Sequence, residues 1–368
     1  MTVNEAQETG PLPGTAGARG ETTLCVQTQY RLLRRLGAGG MAMVHLAEIE
    51  REDGFSRQVA LKVVREDYAH FPEFMQMFAA EAALAAKLTH PNIVGVFDYC
   101  REERARPFLV MELVNGISLR QVIHQRPPMP LAVSAFVLAE VLRGLGYAHE
   151  MPQGKGIRGL LHRDISPHNI LLSWEGAVKI SDFGIAKALM TTSGTITGSG
   201  VDSGKPAYMS PEQVGNQALD RRSDLFSLGV VFWEMLTGRK LFGGAHSSEI
   251  FRQIATLRIP APSRERPIPR DLEQVAMKLL EKDRERRYAR AEDALADLVR
   301  CRDLTANGAG ALVQMLAERC PPSTRAGAVA SGAEPTSSAT PANESIRVTE
   351  VELAPAPRGR GRLLPWAA

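Results

Sequence analysis

The stretch whose reading decides the fold is LLHRDISPHNILL, Leu160 to Leu172. Apolar residues flank it on both sides, yet it holds a histidine, an arginine, Asp164, Asn169 and a proline. Charges inside core-like sequence are costly unless they are paired or face a cleft. The run therefore reads as a loop that carries chemistry and is held between buried segments. Further on, KISDFG places Asp182 after a short strand-like run and before a glycine. Oxygens from two separate loops, Asn169 and Asp182, suit Mg2+, a hard cation that commonly shares its ligands with phosphates. Asp164, just ahead of them, is placed to accept a proton from an attacking hydroxyl or to orient it.

Towards the N-terminus, GAGGMAMV (Gly37 to Val44) is a glycine-rich loop. A dinucleotide fingerprint opens a helix, whereas this loop runs into MVHLAEIE, which alternates like a strand. A strand–loop–strand hairpin of this kind can fold its backbone N–H groups over phosphates, although an ordinary hairpin has the same pattern. Lys62 lies in VALKVV with apolar neighbours on both sides. The following run, EFMQMFAAEAALAAKL, carries Phe74, Met77, Phe78, Ala85 and Leu88 at helical spacing, with Glu81 inside that stripe. Two inward-facing opposite charges make a natural ion pair. The plainer alternative puts Lys62 at a sheet edge and Glu81 at the rim of the stripe.

The wider chain shows two textures. YRLLRRLG, MVHLAEIE, QVALKVV, IVGVFDYC and RPFLVMELV read as strands around one helix, and after Gly116 the patterns turn mostly helical. A small sheet-rich part followed by a larger helical part predicts two lobes with a cleft between them. Residues 1–28 read as a disordered arm. Residues 302–368 read as a low-complexity tail with a short helix at about 309–320. The folded domain spans 29–301, with its small lobe over about 30–115 and its large lobe over about 116–301.

Composition fits this reading. A chain of 368 residues with 44% hydrophobic and 23% charged residues builds a sizeable core, and a formal charge of +3 gives no warrant for nucleic-acid binding. The cysteines (Cys25, Cys100, Cys301, Cys320) form no CxxC pair, so neither zinc nor a disulfide framework is expected, and a reducing cytoplasm fits. No signal-peptide pattern opens the chain. The longest apolar run, LAVSAFVLAEVLRGLGYA, is broken by Glu140 and Arg143, so no transmembrane segment is expected.

Taken together, LGAGGMAMVHLA, VALKVV, Glu81 before LTHPNIV, VMELVNG, HRDISPHN, DFG, AYMSPEQ, RRSDLFSLGVVFWEMLTG and KDRERRY resemble the bacterial eukaryotic-like (Hanks-type) serine/threonine protein kinases, over roughly Tyr30 to Arg300. The resemblance implies an α+β, bilobal protein-kinase fold and a phosphotransferase that uses ATP with Mg2+, Mn2+ being an alternative. It implies that Lys62, fixed by Glu81, holds the phosphates, that Asp164 orients the substrate hydroxyl, and that Asn169 and Asp182 hold the metal. The nucleotide site it implies comprises Leu36, Gly37, Ala38, Gly39, Gly40, Val44, Ala60, Lys62, Met111, Glu112, Val114, Asn169, Leu171 and Asp182. Met111 corresponds to the gatekeeper, and Glu112 and Val114 to the hinge. Glu212 would pair with Arg287, and Asp224 would anchor the catalytic loop. Protein substrates, the chain itself among them, are the implied partners, and related kinases also dimerise.

Three positions depart from the family pattern. Ala42 replaces the third loop glycine, which is tolerable at negative φ. Ser166 stands where a lysine normally touches the γ-phosphate. Lys205 stands after Gly204 where a threonine normally packs against that lysine. The paired exchange suggests that the Lys205 ammonium supplies the missing cation. Between DFG and SPE the chain is dense in Thr, Ser and Gly. Phosphate added at Thr191, Thr192, Thr195 or Thr197 would order this segment against Arg163. The competing readings are a nucleotide-binding pseudokinase scaffold, favoured only by the Ser166/Lys205 exchange, and a small-molecule phosphotransferase, disfavoured by the SPE segment.

Overall fold

The computed structural model describes residues 28–51, 54–101, 106–152, 159–183, 205–301, 307–321 and 345–348. The small lobe is an antiparallel sheet with one main helix packed on it. Its strands are β1 (Thr28–Ala38), β2 (Ala42–Glu50), β3 (Ser56–Val64), β4 (Val96–Cys100) and β5 (Phe108–Met111), and the helix is α1 (Pro72–Ala85). The alternation read in the sequence sorts β3 onto two faces. Val59, Leu61 and Val63 join Tyr30, Leu32, Phe108 and Val110 in one buried cluster. Val64 and Leu109 pack on the other face against Phe74 and Phe78 of α1. Lys62, paired in register with Val44 and Leu109, stands on that second face.

The large lobe opens with a three-stranded sheet, β6 (Gly116–Ser118), β7 (Ile170–Ser173) and β8 (Val178–Ile180), in the order β6-β7-β8. Helices α2 (Leu131–Glu150), α3 (Arg221–Thr237), α4 (Ser247–Thr256), α5 (Arg270–Leu279) and α6 (Ala291–Val299) surround one large core. Helix α3 is buried nearly all round, the mark of a central helix, and Asp220 caps its start by accepting the Arg222 N–H. Helix α2 is long and apolar enough to cross a membrane on length and composition alone, but most of it is buried inside this core. The lobes are joined where Ile93 bridges to Ile180, with Val94 N–H donating to the Ile180 carbonyl at 2.9 Å.

Several expected bounds move. Strand β4 begins at Val96, because Ile93 is taken up in the bridge to β8, and β5 covers only Phe108–Met111 of the longer run. Strand β1 starts at Thr28, inside the expected arm. The expected tail is more structured than read. The short helix is present as α7 (Gly308–Arg319), with Leu312, Met315 and Leu316 buried. A strand, β9 (Ser345–Val348), extends the small-lobe sheet to the order β4-β5-β3-β2-β1-β9. The sequence pattern alone does not announce that strand.

Candidate active site

The glycine-rich loop is the turn of the β1–β2 hairpin. Gly37 pairs with Val44 and Ala38 with Met43, Leu36 lies at an irregularity of the ladder, and Gly39 N–H donates to the Ala42 carbonyl at 2.8 Å. Gly40 is exposed at the tip. Ala42 is buried in the strand and is not among the positive-φ residues, so its methyl group is accommodated.

Lys62 Nζ lies 3.0 Å from Glu81 Oε1 and 2.9 Å from Asp182 Oδ1. The sheet-edge alternative is thereby excluded: β3 lies between β2 and β5, and Glu81 is only 7% exposed. Burial disfavours the ammonium, but the carboxylates of Asp182 and Glu81 outweigh it and hold the lysine pKa above its ordinary value. Strand β3, helix α1 and the DFG segment thus converge on one cation.

Asp182 (φ 55°) and Arg163 (φ 63°) are two of three described non-glycine residues with positive φ. Such conformations persist where surroundings over-determine them, and they cluster at working sites. The source of the constraint at Arg163 is visible. Asp224, buried on α3, accepts the N–H of Arg163 at 2.7 Å and of His162 at 2.8 Å, and also meets His149 Nε2 at 2.8 Å. These contacts hold the Asp224 carboxylate below its ordinary pKa although burial pushes the other way.

Asn169 donates through Nδ2 to the Asp164 carbonyl (2.8 Å) and carboxylate (3.1 Å). Its Oδ1 is buried without a hydrogen-bond partner among the described residues. An unsatisfied buried oxygen is costly in isolation. Its presence beside the loop carrying Asp182 fits a divalent cation with oxygen ligands. Among the described residues no cluster of three or more His, Cys, Asp or Glu could hold a metal by itself, so such a cation would complete its shell from phosphates or water.

Between the lobes, Val94, Val114 and Leu171 form a small apolar cluster with Met111 against it, and Ala60 and Val44 are buried on the adjoining strands. This is an apolar slot of the kind that takes a planar base. Glu112 is fixed at its edge: its N–H donates to the Gly95 carbonyl at 2.8 Å, and its carboxylate pairs with Lys179 at 2.9 Å.

The SPE segment is docked on the catalytic loop, Gln213 Nε2 donating to the Arg163 carbonyl at 3.0 Å. Glu212 and Arg287 form a buried pair at 2.8 Å, as the resemblance implied. Ser166 is 1% exposed, and its Oγ has no hydrogen-bond partner among the described residues. The backbone of Lys205 opens a 3-10 turn, Lys205–Tyr208, but its side chain lies outside the described residues. Thr191, Thr192, Thr195 and Thr197 also lie outside them, as do Gly184 and Gly204.

Two contributors were not assigned from sequence. His162 is fully buried: its Nε2 meets the Ser181 carbonyl at 2.9 Å, its Nδ1 accepts the Asp164 N–H, and its ring packs on Phe183 at 4.6 Å. It links the loop bearing Asp164 to that bearing Asp182. Glu234 is also fully buried and receives Tyr208 Oη–H at 2.8 Å, His124 Nε2 at 3.0 Å and Leu241 N–H at 3.1 Å. It fixes the segment after Lys205 to α3. The signal for both was a polar residue within an apolar run.

Comparison with known proteins agrees with this geometry. Residues 30–298 match the family described as Protein kinase domain. The chain is 39% identical over 276 residues to the serine/threonine-protein kinase PknB of Mycobacterium tuberculosis, covering 74% of this chain and 42% of that protein. It is 36% identical over 274 residues to the serine/threonine-protein kinase PrkC of Bacillus subtilis, covering 74% of this chain and 40% of that one. The chain thus spans about two-fifths of the length of these curated relatives. The crystal structure of the Mycobacterium tuberculosis PknI kinase domain is similar with a TM-score of 0.55 and 26% identity, over 73% of this chain and 95% of that one.

Proposed function

The chain belongs to the protein kinase family, and from that premise we propose that it is a serine/threonine protein kinase, transferring the γ-phosphoryl group of ATP to hydroxyls of proteins, its own activation segment among them. The observation that carries this is the convergence of Lys62, Glu81 and Asp182 within 3.0 Å, with the Asp164–Asn169 loop tied to the same centre through His162.

Each side chain has a definite task in this reading. The apolar slot of Val94, Met111, Val114 and Leu171 takes the adenine, with Glu112 and Val114 offering backbone groups at its edge. The hairpin amides of Gly37 to Gly40 cover the phosphates. Lys62 remains an ammonium and contributes positive charge to the phosphates, and Glu81 keeps it pointed inward. Asn169 Oδ1 and Asp182 would hold Mg2+, which supplies positive charge to the transferring group when bound. Asp164 orients the incoming Ser or Thr hydroxyl and receives its proton as oxygen bonds to the γ-phosphorus and the bond to ADP breaks. The Ser166 Oγ, without a partner among the described residues, and the exchange at 205 support a further role: Lys205 provides the cation that Ser166 does not.

For regulation, Arg163 is the proposed receiver of an activation-segment phosphate at Thr191, Thr192, Thr195 or Thr197. Its backbone is fixed by Asp224, and its side chain makes no ion pair among the described residues. Burial presses its pKa below the usual guanidinium value, a cost an added phosphate would relieve. A cytoplasmic location is proposed on the cysteine spacing, which offers no CxxC pair and so fits a reducing compartment.

The test is incubation with Mg2+ and γ-labelled ATP beside an Asp164→Asn control, followed by mass-spectrometric mapping. Label in the activation segment of the wild type alone is the expected result. Nucleotide binding without label in either protein would overturn the reading in favour of a scaffold.

A further inference from the structure

Beyond residue 298, where the family match ends, the chain makes two separate attachments. The first is α7 on the large lobe. Asn307 caps it by accepting the Gly310 N–H at 3.0 Å, and Leu312, Met315 and Leu316 are buried in the large-lobe core. Two glycines permit the close fit. A Cβ on Gly308 would come 2.4 Å from the Phe136 ring on α2, and one on Gly176 (φ +91°), in the β7–β8 turn, would meet the Ala309 carbonyl at 2.8 Å. At its far end Arg319 donates to the Val122 carbonyl at 2.9 Å and to the Pro127 carbonyl at 2.6 Å. The docking site adjoins the lobe connection, since Trp174 N–H, beside that same turn, donates to the Asn115 carbonyl at 2.9 Å.

The second attachment is on the small lobe. Strand β9 runs antiparallel to β1, with Ser345 opposite Arg31, Ile346 opposite Tyr30, Arg347 opposite Gln29 and Val348 opposite Thr28. An uncovered edge strand presents unpaired N–H and C=O groups and invites pairing with another chain. Here a segment of the same chain covers it. The sequence is compatible with a strand here. After a Pro-, Ser-, Thr-, Ala- and Gly-rich stretch, SIRVTEVEL is a short run rich in β-branched residues. The strand it covers is no ordinary edge. Tyr30 and Leu32 anchor β1 in the small-lobe core, Tyr30 edge-on to Phe108 at 5.4 Å, and the same strand runs directly into Gly37 to Gly40.

We propose that α7 and β9 are the two attachments of a strap in cis: α7 fixes it to the large lobe beside the lobe connection, and β9 completes the β1 edge, steadying the strand that carries the glycine-rich loop over the nucleotide. The inference rests on the kinase reading only for its nucleotide. A connection as long as residues 320–344 has a contour of about 80 Å, so the strap acts by effective concentration rather than by tension. Four ladder residues make a marginal strand, so the attachment is reversible. Release leaves the catalytic groups in place and loosens the loop above the phosphates, which is felt in nucleotide binding before it is felt in phosphoryl transfer.

The test uses the full chain and an Ile346→Pro/Arg347→Pro variant. In an antiparallel ladder alternate residues point their N–H towards the partner, so one of these two prolines must remove a bond to β1. Hydrogen exchange of peptides covering 28–38 should quicken in the variant, and KM for ATP should rise about fivefold with kcat nearly unchanged. Unchanged exchange would show that 345–348 is not seated on β1. Quickened exchange with unchanged KM would overturn the functional half of the proposal. Protection in the wild type that is lost on dilution would overturn the cis assignment, the strand then coming from a second copy. ATP binding followed by calorimetry keeps the result readable even if phosphotransfer is absent.

Discussion

Asp224 and Arg163, 61 residues apart in the chain, meet where a buried carboxylate on α3 accepts the catalytic-loop N–H at 2.7 Å. The bond explains how a loop lacking regular structure holds Arg163 at φ 63° and sets Asp164 beside it. The same carboxylate takes the His162 N–H, so the geometry of the whole HRD turn is referred to a helix buried nearly all round. Replacing Asp224 with alanine should therefore leave two backbone donors and His149 without their acceptor. We expect a loss of about 3 kcal/mol in chemical denaturation. Phosphotransfer should fall far more than nucleotide affinity, because the nucleotide groups on β2, β3 and β5 are untouched. Equal losses in both would show that Asp224 acts only on global stability.

Glu212 and Arg287 give a second expectation. The guanidinium is wholly buried, donates to the Arg222 and Glu281 carbonyls as well as to Glu212, and stacks 5.0 Å from the Phe226 ring. Removing either charge strands the other in the core. Glu212→Ala should cost about 3–5 kcal/mol, and Arg287→Ala a similar amount, while the double variant should cost much less than their sum. Despite its burial, the bonds from Arg287 and Ser223 hold the Glu212 carboxyl below its ordinary pKa. Its stabilising contribution is thus present above the unfolded value near 4.5 and is lost as pH falls through the lower folded value. Additive single-variant costs would refute the coupling.

His162 sets the behaviour at milder acidity. Its Nδ1 accepts the Asp164 N–H and its Nε2 must donate to the Ser181 carbonyl, which fixes the neutral Nε2–H tautomer. Burial pushes its pKa below the ordinary 6.5, outweighing the pull of Asp224 and Asp164. The unfolded chain therefore binds this proton first. Stability is complete above about pH 6.5 and falls as pH drops through that value towards the folded pKa, at no more than about 1.4 kcal/mol per pH unit. Denaturation of wild type and His162→Gln between about pH 7.5 and 5 checks this. The wild type should lose stability more steeply, and parallel curves would count against it.

How much of this was legible in the sequence depends on the range of the forces involved. Lys62 and Glu81 could be read because each is a charge on an otherwise apolar face, and burial demands a partner. Asp164, Asn169 and Asp182 could be read from their order along the chain. Strand β9 could not. Its four residues resemble any short β-branched run, and what makes them a strand is the open edge of β1, more than three hundred residues earlier in the sequence. Helix α7 was visible as a pattern, but not its burial, which depends on the missing side chains at Gly176 and Gly308. His162 stood in the quoted stretch without a role for the same reason: its donor and acceptor partners are set by tertiary contact, not by spacing.

The exchange at 166 and 205 leads to the last prediction. Ser166 is buried two residues after Asp164, and its hydroxyl finds no partner among the described residues, so the position normally filled by a phosphate-contacting lysine holds a short, uncharged side chain. The segment beginning at Lys205 is held against the catalytic loop by Gln213 and against α3 by Tyr208 and Glu234. A lysine at its head is thus tethered near the centre by bonds it does not itself make. If its ammonium stabilises the charge developing on the transferring group, Lys205→Ala should lower kcat about a hundredfold with KM for ATP little changed. Ser166→Lys/Lys205→Thr, which moves the cation back to the loop position usual in the family, should recover most of that loss. Melting temperatures should be recorded beside kcat, because a lysine at the 1% exposed position 166 alters packing as well as charge. Wild-type turnover in Lys205→Ala would end the argument and leave the transferring phosphate to Lys62 and the metal ligands alone.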